Sequence, residues 1–194
     1  MFINGITNNV LKFKKMKKIV CVIFAITLFF GATAQNHLAF MGIPIDGTLD
    51  QFAKQAKGKS LTHIQRVEDI DLFFGNFLGY DCVVGAVPLE DKDLVYSVIA
   101  CIFPFEDWST LQKTYLDVKK KLTAEYGTPT EVEEKFLTTP RNDDERFKAV
   151  VDGKCSYKAT YTTKLGEVDL SITFNEDTGP TVIVQFTDNK NAQK

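Results

Sequence analysis

The sequence predicts an α+β fold: a tandem repeat of one helix followed by about four antiparallel strands, with the helices packed on one side of the sheet or sheets. Three observations carry this. Segments of strand character follow one another with only short turns between them, which favours antiparallel sheets over alternating strand–helix–strand units. Two segments have helical apolar spacing, and each precedes such a run of strands. The last strands alternate apolar and polar residues, as a sheet with one core face and one wet face does. One sheet of eight strands and two sheets of four satisfy this pattern equally.

The first 34 residues stand apart. Met16-Lys17-Lys18 precedes an apolar run from Ile19 to Phe30, and Gly31-Ala32-Thr33-Ala34 then places small residues before Gln35. That order is the order of a secretory signal peptide cleaved after Ala34, with residues 1–15 an upstream extension. The alternative is an uncleaved N-terminal anchor, but the apolar run is well short of the roughly 20 residues that span a bilayer. Cys21 has no small residue before it and is not placed as a lipid-bearing cysteine. The expected location is therefore periplasmic or secreted, with no membrane span after processing. Lys12, Lys14, Lys15, Lys17 and Lys18 all lie in the removed part, and all 25 acidic residues lie outside it. The mature chain would carry 18 basic residues against 25 acidic ones, a net charge of −7 rather than −2. Such a surface argues against electrostatic binding to nucleic acid or anionic lipid.

The organisation expected is 1–34 for the extension and signal peptide, 35–104 for the first repeat, 105–189 for the second and 190–194 for a tail. Phe40–Gly47 reads as an extended lead-in rich in turn residues. Thr48-Leu49-Asp50-Gln51 has the form of a capping box, and Leu49, Phe52, Ala53 and Ala56 share one helical face that stops at Gly58. Strands are expected at Leu61–Val67, Ile70–Leu78, Tyr80–Leu89 and Leu94–Phe103. Both faces of the latter strands are apolar, a mark of burial on both sides or of an exposed apolar face awaiting a partner.

Trp108, Leu111, Tyr115, Val118, Leu122 and Tyr126 recur three or four residues apart and define a long helix, capped by Asp107 and ended by Gly127 and Pro129. Lys119, Lys120 and Lys121 read as a solvated face near its C-terminal end. Thr130–Leu137 is the next strand. Thr138–Gly153, with Pro140, Arg141, Asn142, Asp143, Asp144 and Glu145, reads as a long mobile loop. Cys155–Thr163, Glu167–Phe174 and Thr181–Thr187 complete the strands, and a frayed tail follows from Asn189.

The motifs of common chemistry are missing. His37 lies just past the cleavage site and is expected to be disordered, which leaves His63. No H-E-x-x-H, C-x-x-C, G-x-S-x-G, S-x-x-K or glycine-rich phosphate loop occurs, so no metal and no cofactor is expected. Cys82, His63 and Asp71 fall on neighbouring strands and could form a nucleophile–base–orienter arrangement, but a buried structural thiol is the commoner role for Cys82. Asp143-Asp144-Glu145 lacks the spacing of a calcium loop. If the turn Glu90–Asp93 is centred between Asp91 and Lys92, Leu89 faces Leu94, Val84 faces Ile99 and Cys82 faces Cys101. A disulfide between Cys82 and Cys101 then competes with two reduced thiols in contact, and Cys155 stays unpaired.

Phe40-x-Gly42-Ile43-Pro44-Ile45-Asp46-Gly47 opening a short helix, together with Trp108-x-x-Leu111 leading to Leu122 and Tyr126-Gly127-x-Pro129, resembles a group of uncharacterised exported proteins common in Gram-negative gut bacteria. The resemblance covers most of residues 37–189, and it implies no catalytic residue. The helix-plus-antiparallel-sheet plan is similar to the β-lactamase inhibitory proteins and to small outer-membrane assembly lipoproteins. The function expected is a non-catalytic binding module whose sheet surfaces contact an envelope or extracellular protein or peptide. Candidate binding residues are Lys158, Thr160, Thr162, Asp169, Ser171, Thr173, Gln185 and Thr187, with Thr181 and Ile183 between them; a plain solvated β-surface is the competing reading. The alternatives are a carrier of a small apolar ligand, suggested by the 16 phenylalanines, and an enzyme of unfamiliar type.

Overall fold

The computed structural model describes residues 36–193. The expected signal segment, Cys21 and the cleavage point after Ala34 lie outside the described residues. A two-residue turn, Met41-Gly42, joins strands β1 (Ala39–Phe40) and β2 (Ile43–Pro44). Both turn residues have positive φ, which the tight hairpin turn demands and glycine supplies without strain. Phe40, Ile43 and Ile45 are buried here, so the lead-in is a plug in the core rather than a linker.

Helix α1 (Leu49–Lys57) begins at a complete capping box of Thr48 and Gln51, and it buries Leu49, Phe52 and Ala56. Strands β3 (Thr62–Val67), β4 (Ile70–Phe77), β5 (Tyr80–Pro88) and β6 (Val95–Ile102) then run up and down. Helix α2 (Trp108–Tyr126) is capped by Asp107, which accepts a hydrogen bond from the Thr110 amide at 2.7 Å. It buries Trp108, Leu111, Tyr115, Val118 and Leu122, the stripe that the spacing predicts. Strand β7 (Glu131–Phe136) leads to helix α3 (Asp143–Val151), and strands β8 (Cys155–Thr162), β9 (Gly166–Asn175) and β10 (Gly179–Asp188) end at the short helix α4 (Asn189–Ala192).

The strands β3 to β10 form one antiparallel sheet in the order β3-β4-β5-β6-β10-β9-β8-β7. The last strand of each run therefore meets the other at the centre, and the first strand of each run forms an edge. One face carries the core: Phe73, Val84, Ala86, Val98, Ala100, Val184, Phe186, Val168 and Leu170 lie on it and are buried. Phe40 packs against Phe77 and Phe186 there, at ring-centroid distances of 5.0 and 5.3 Å.

Five expectations are corrected. Residues 138–153 are not a mobile loop. Asn142 accepts a hydrogen bond from the Glu145 amide, Asp143, Asp144 and Glu145 sit at the positive end of α3, and Ala149 and Val150 are buried. The one-helix-per-four-strands repeat does not describe the second run, because α3 intervenes between β7 and β8 and α4 follows β10.

Nor do all the helices lie on one side of the sheet. α1 packs on β3 and β5, α2 on β9 and β10, and α3 on β8 to β10, but α4 continues from β10 at the rim. There Asn191 donates to the carbonyls of Ile45 and Val95 and to the Asp46 carboxylate. That buried asparagine also means that the tail is not frayed, and His37 is held rather than disordered, with Nδ1 3.1 Å from Asp188 Oδ1.

Candidate functional site

The candidate site is the second face of the sheet, opposite the core. Alternation along each strand sends every other side chain to it, and the cross-strand register aligns those side chains in rows. One row runs Glu133–Lys158–Ser171–Ile183–Cys101–Val83–Phe74–Thr62 across all eight strands. The next runs Glu131–Thr160–Asp169–Gln185–Ile99–Gly85–Leu72–Gln65. From β10 through β3 neither row carries an ionised side chain. Lys158, Asp169, Glu131 and Glu133 are confined to the other end.

All eight residues expected to bind fall on this face. Lys158, Thr160 and Asp169 form a connected group: the Thr160 hydroxyl donates to Asp169 Oδ1 at 2.6 Å, and Lys158 Nζ lies 3.1 Å from the same oxygen. Thr162 faces Glu167, which in turn faces Thr187, while Ser171 and Thr173 continue the polar surface along β9. Gln185 donates to the Ser97 hydroxyl at 3.2 Å, and that hydroxyl donates to the Phe186 carbonyl, so the amide is oriented from its own sheet.

Ile183 apart, the apolar half of the face was not among the expected binding residues. Phe74 is 50% exposed, and Ile70, Leu72, Val83, Ile99, Cys101 and Ile183 are half-buried. Its signal was present as the two-sided apolar pattern of β4 to β6, and the exposures match an apolar face left open rather than a strand buried on both sides. Gly85 adds to the flatness. Ile70 Cγ2 and Leu72 Cδ2 lie 3.3 and 3.7 Å from where a side chain there would start, and they spread over the gap.

Cys82, His63 and Asp71 do not assemble into a nucleophilic site. Asp71, 1% exposed, accepts two hydrogen bonds from Arg66 at 2.8 and 2.9 Å and lies 3.2 Å from His63 Nε2. Hydrogen bonding from Arg66, joined by His63, holds its carboxyl below the ordinary range against the opposing effect of burial. Cys82 instead points its thiol at the Gly75 carbonyl, 3.7 Å away, and burial pushes that thiol up to about 11.

The expected facing of Cys82 and Cys101 is corrected too. A bulge between Val87 and Pro88 shifts the register by one, so Val83 faces Cys101 and Val84 faces Ala100. The two cysteines point to opposite faces of the sheet, and both are free thiols.

Asp143 and Glu145 pair with Arg146 and Arg141. No group of three or more His, Cys, Asp or Glu among the described residues is placed to hold a metal ion. Lys119 pairs with Glu134, and Lys121 with Asp117, so two of the three consecutive lysines are tied down. No helix among the described residues is long and apolar enough to cross a membrane. Compared with family models, with curated proteins and with solved structures, the chain matches none.

Proposed function

We propose that this protein is an exported, non-catalytic binding module that meets a protein or peptide partner through the open face of its sheet. The observation that carries the reading is the partly apolar stretch of that face over β3 to β6 and β10, whose two rows hold no ionised side chain, with Phe74 on β4 half exposed and Asp81 at the start of β5 as the charge beside them. Soluble domains rarely leave such a surface without a use. The sheet edges are poorer candidates. β3 is bulged between His63 and Gln65, and β7 presents Glu131, Glu133, Glu134 and Lys135, both devices that discourage strand addition. The plan of two four-strand runs, each entered through a helix, is consistent with a tandem origin and with the resemblance to small exported inhibitors and assembly proteins.

The carrier alternative calls for an enclosed apolar cavity. Two clefts among the described residues are surface hollows with ionised rims. One of about 410 Å³ is lined by Arg66, Asp69, Asp91 and Asp93, and one of about 490 Å³ lies between Trp108, Phe136, Tyr157 and Arg146.

The test is photo-crosslinking in producing cells, with a benzophenone side chain at Ile99 on the open face or at the exposed Lys54 on α1. A discrete adduct from position 99 and none from position 54 is expected. Adducts from neither position, or from both alike, would sink the reading.

A further inference from the structure

We propose that the partner of the open face is a second copy of this chain, giving a face-to-face dimer; this rests on the binding-surface reading above and names its occupant. Two features point to self-association.

The first is area. Eight strands about 4.8 Å apart, each about eight residues long at about 3.4 Å per residue, give a face of roughly 1,000 Å². A specific interface takes roughly 800 Å² from each partner, so the whole face meets that size and the uncharged part alone falls short.

The second is charge. The described residues carry 25 acidic and 17 basic side chains, the 23 of the whole chain less Lys12, Lys14, Lys15, Lys17, Lys18 and Lys194. Two copies repel over most of their surface. Asp81, at the start of β5, lies on this face outside the two rows, and the copies can approach without like-charge contact where the rows from β10 to β3 are uncharged.

A two-fold axis lying in the interface and running across the strands lays this uncharged part on its own counterpart. It also lays the β7–β9 end on itself in reversed strand direction. That end carries both signs, with Lys135 and Lys158 interspersed among Glu131, Glu133, Glu167 and Asp169. An isologous contact of this kind is the commonest form of homodimer, and two sheets packed face to face about 10 Å apart are its ordinary geometry. A basic partner would have found a uniformly acidic face instead.

The experiment is sedimentation velocity of the purified protein over a wide concentration range, with Phe74→Glu, Ile183→Lys and, as a control, Lys54→Glu. Circular dichroism of each variant checks folding. The parent and Lys54→Glu should sediment as dimers. The two face variants should raise the dimer dissociation constant at least about tenfold, since each places a charge within an apolar contact. A folded parent that stays monomeric at every concentration overturns the proposal, whatever the variants do. A dimer that survives both face substitutions overturns it as well, because the contact is then elsewhere. If the parent is monomeric and the Ile99 crosslink yields an adduct with a different protein, the dimer is refuted and the binding-surface reading stands.

Discussion

His37 Nδ1 lies 3.1 Å from Asp188 Oδ1, so the first described residues are tied to the end of the last strand. The Asp188 carboxylate also accepts the Leu38 amide at 2.7 Å and the Asn191 amide at 2.9 Å, and it is fully buried. Removing it strands two buried N–H groups and an imidazole. Asp188→Ala should cost about 3–5 kcal/mol in urea unfolding, and Asp188→Asn, which keeps one acceptor, should cost less. A loss below about 1 kcal/mol would show that the clasp between the first and last described segments does not hold the fold.

The Arg66–Asp71 pair predicts a pH dependence. The Asp71 carboxyl is held below its ordinary range in the folded protein, chiefly by hydrogen bonding from Arg66. The folded state therefore binds its proton less readily than the unfolded chain does. The stability this contributes is fully present above the unfolded value, about 4, and is lost as the pH falls through the folded value. Asp71→Asn should be less stable than the parent at neutral pH. The gap should close as the pH drops below about 4, measured by urea unfolding at a series of pH values. A gap that stays constant down to acid pH would place the cost of the substitution elsewhere.

Leu122 is fully buried on the core side of α2. Leu122→Ala should cost about 2–5 kcal/mol, the lost transfer of the side chain plus the cavity it leaves. Leu116 of the same helix is 46% exposed, and Leu116→Ala should change stability by less than about 0.5 kcal/mol. Similar losses at both positions would mean that the helix is turned from its observed setting.

How far the sequence could be read depended on whether the signal was local. The α2 stripe and the Thr48–Gln51 box repeat at helical spacing and are local, so they were legible. Helix α3 is local too, but its nine residues include five ionisable ones before any apolar pair closes a face, and polarity alone suggested a loop. The hold on His37 and Asn191 could not be read, because their partners lie 151 and 96 residues away. On the candidate face, the polar half was legible as alternation in β8 to β10. The apolar half had the same pattern as a strand buried on both sides, and only the layer that failed to cover it could tell the two apart.

The last prediction concerns strand register. A turn centred between Asp91 and Lys92 puts Cys82 opposite Cys101, and the Leu89 amide does bond to the Leu94 carbonyl as that turn requires, at 2.9 Å. The register then slips between Val87 and Pro88. Proline has no N–H to give the ladder, and bulges are among the few places in a sheet that tolerate it. One residue of slip turns Cys82 toward the core and leaves Cys101 on the open face, opposite Val83. The parent should therefore show the same monomer mass before and after reduction under denaturing conditions.

Val83→Cys should behave differently. Directly opposed residues in an antiparallel pair have Cα atoms about 4.5–5.5 Å apart, within reach of a disulfide, so mild oxidation should join the new thiol to Cys101. Peptide mapping identifies the bond. A parent chain that oxidises between Cys82 and Cys101, or a Val83→Cys variant that does not oxidise at all, would show that the slip at Pro88 is absent.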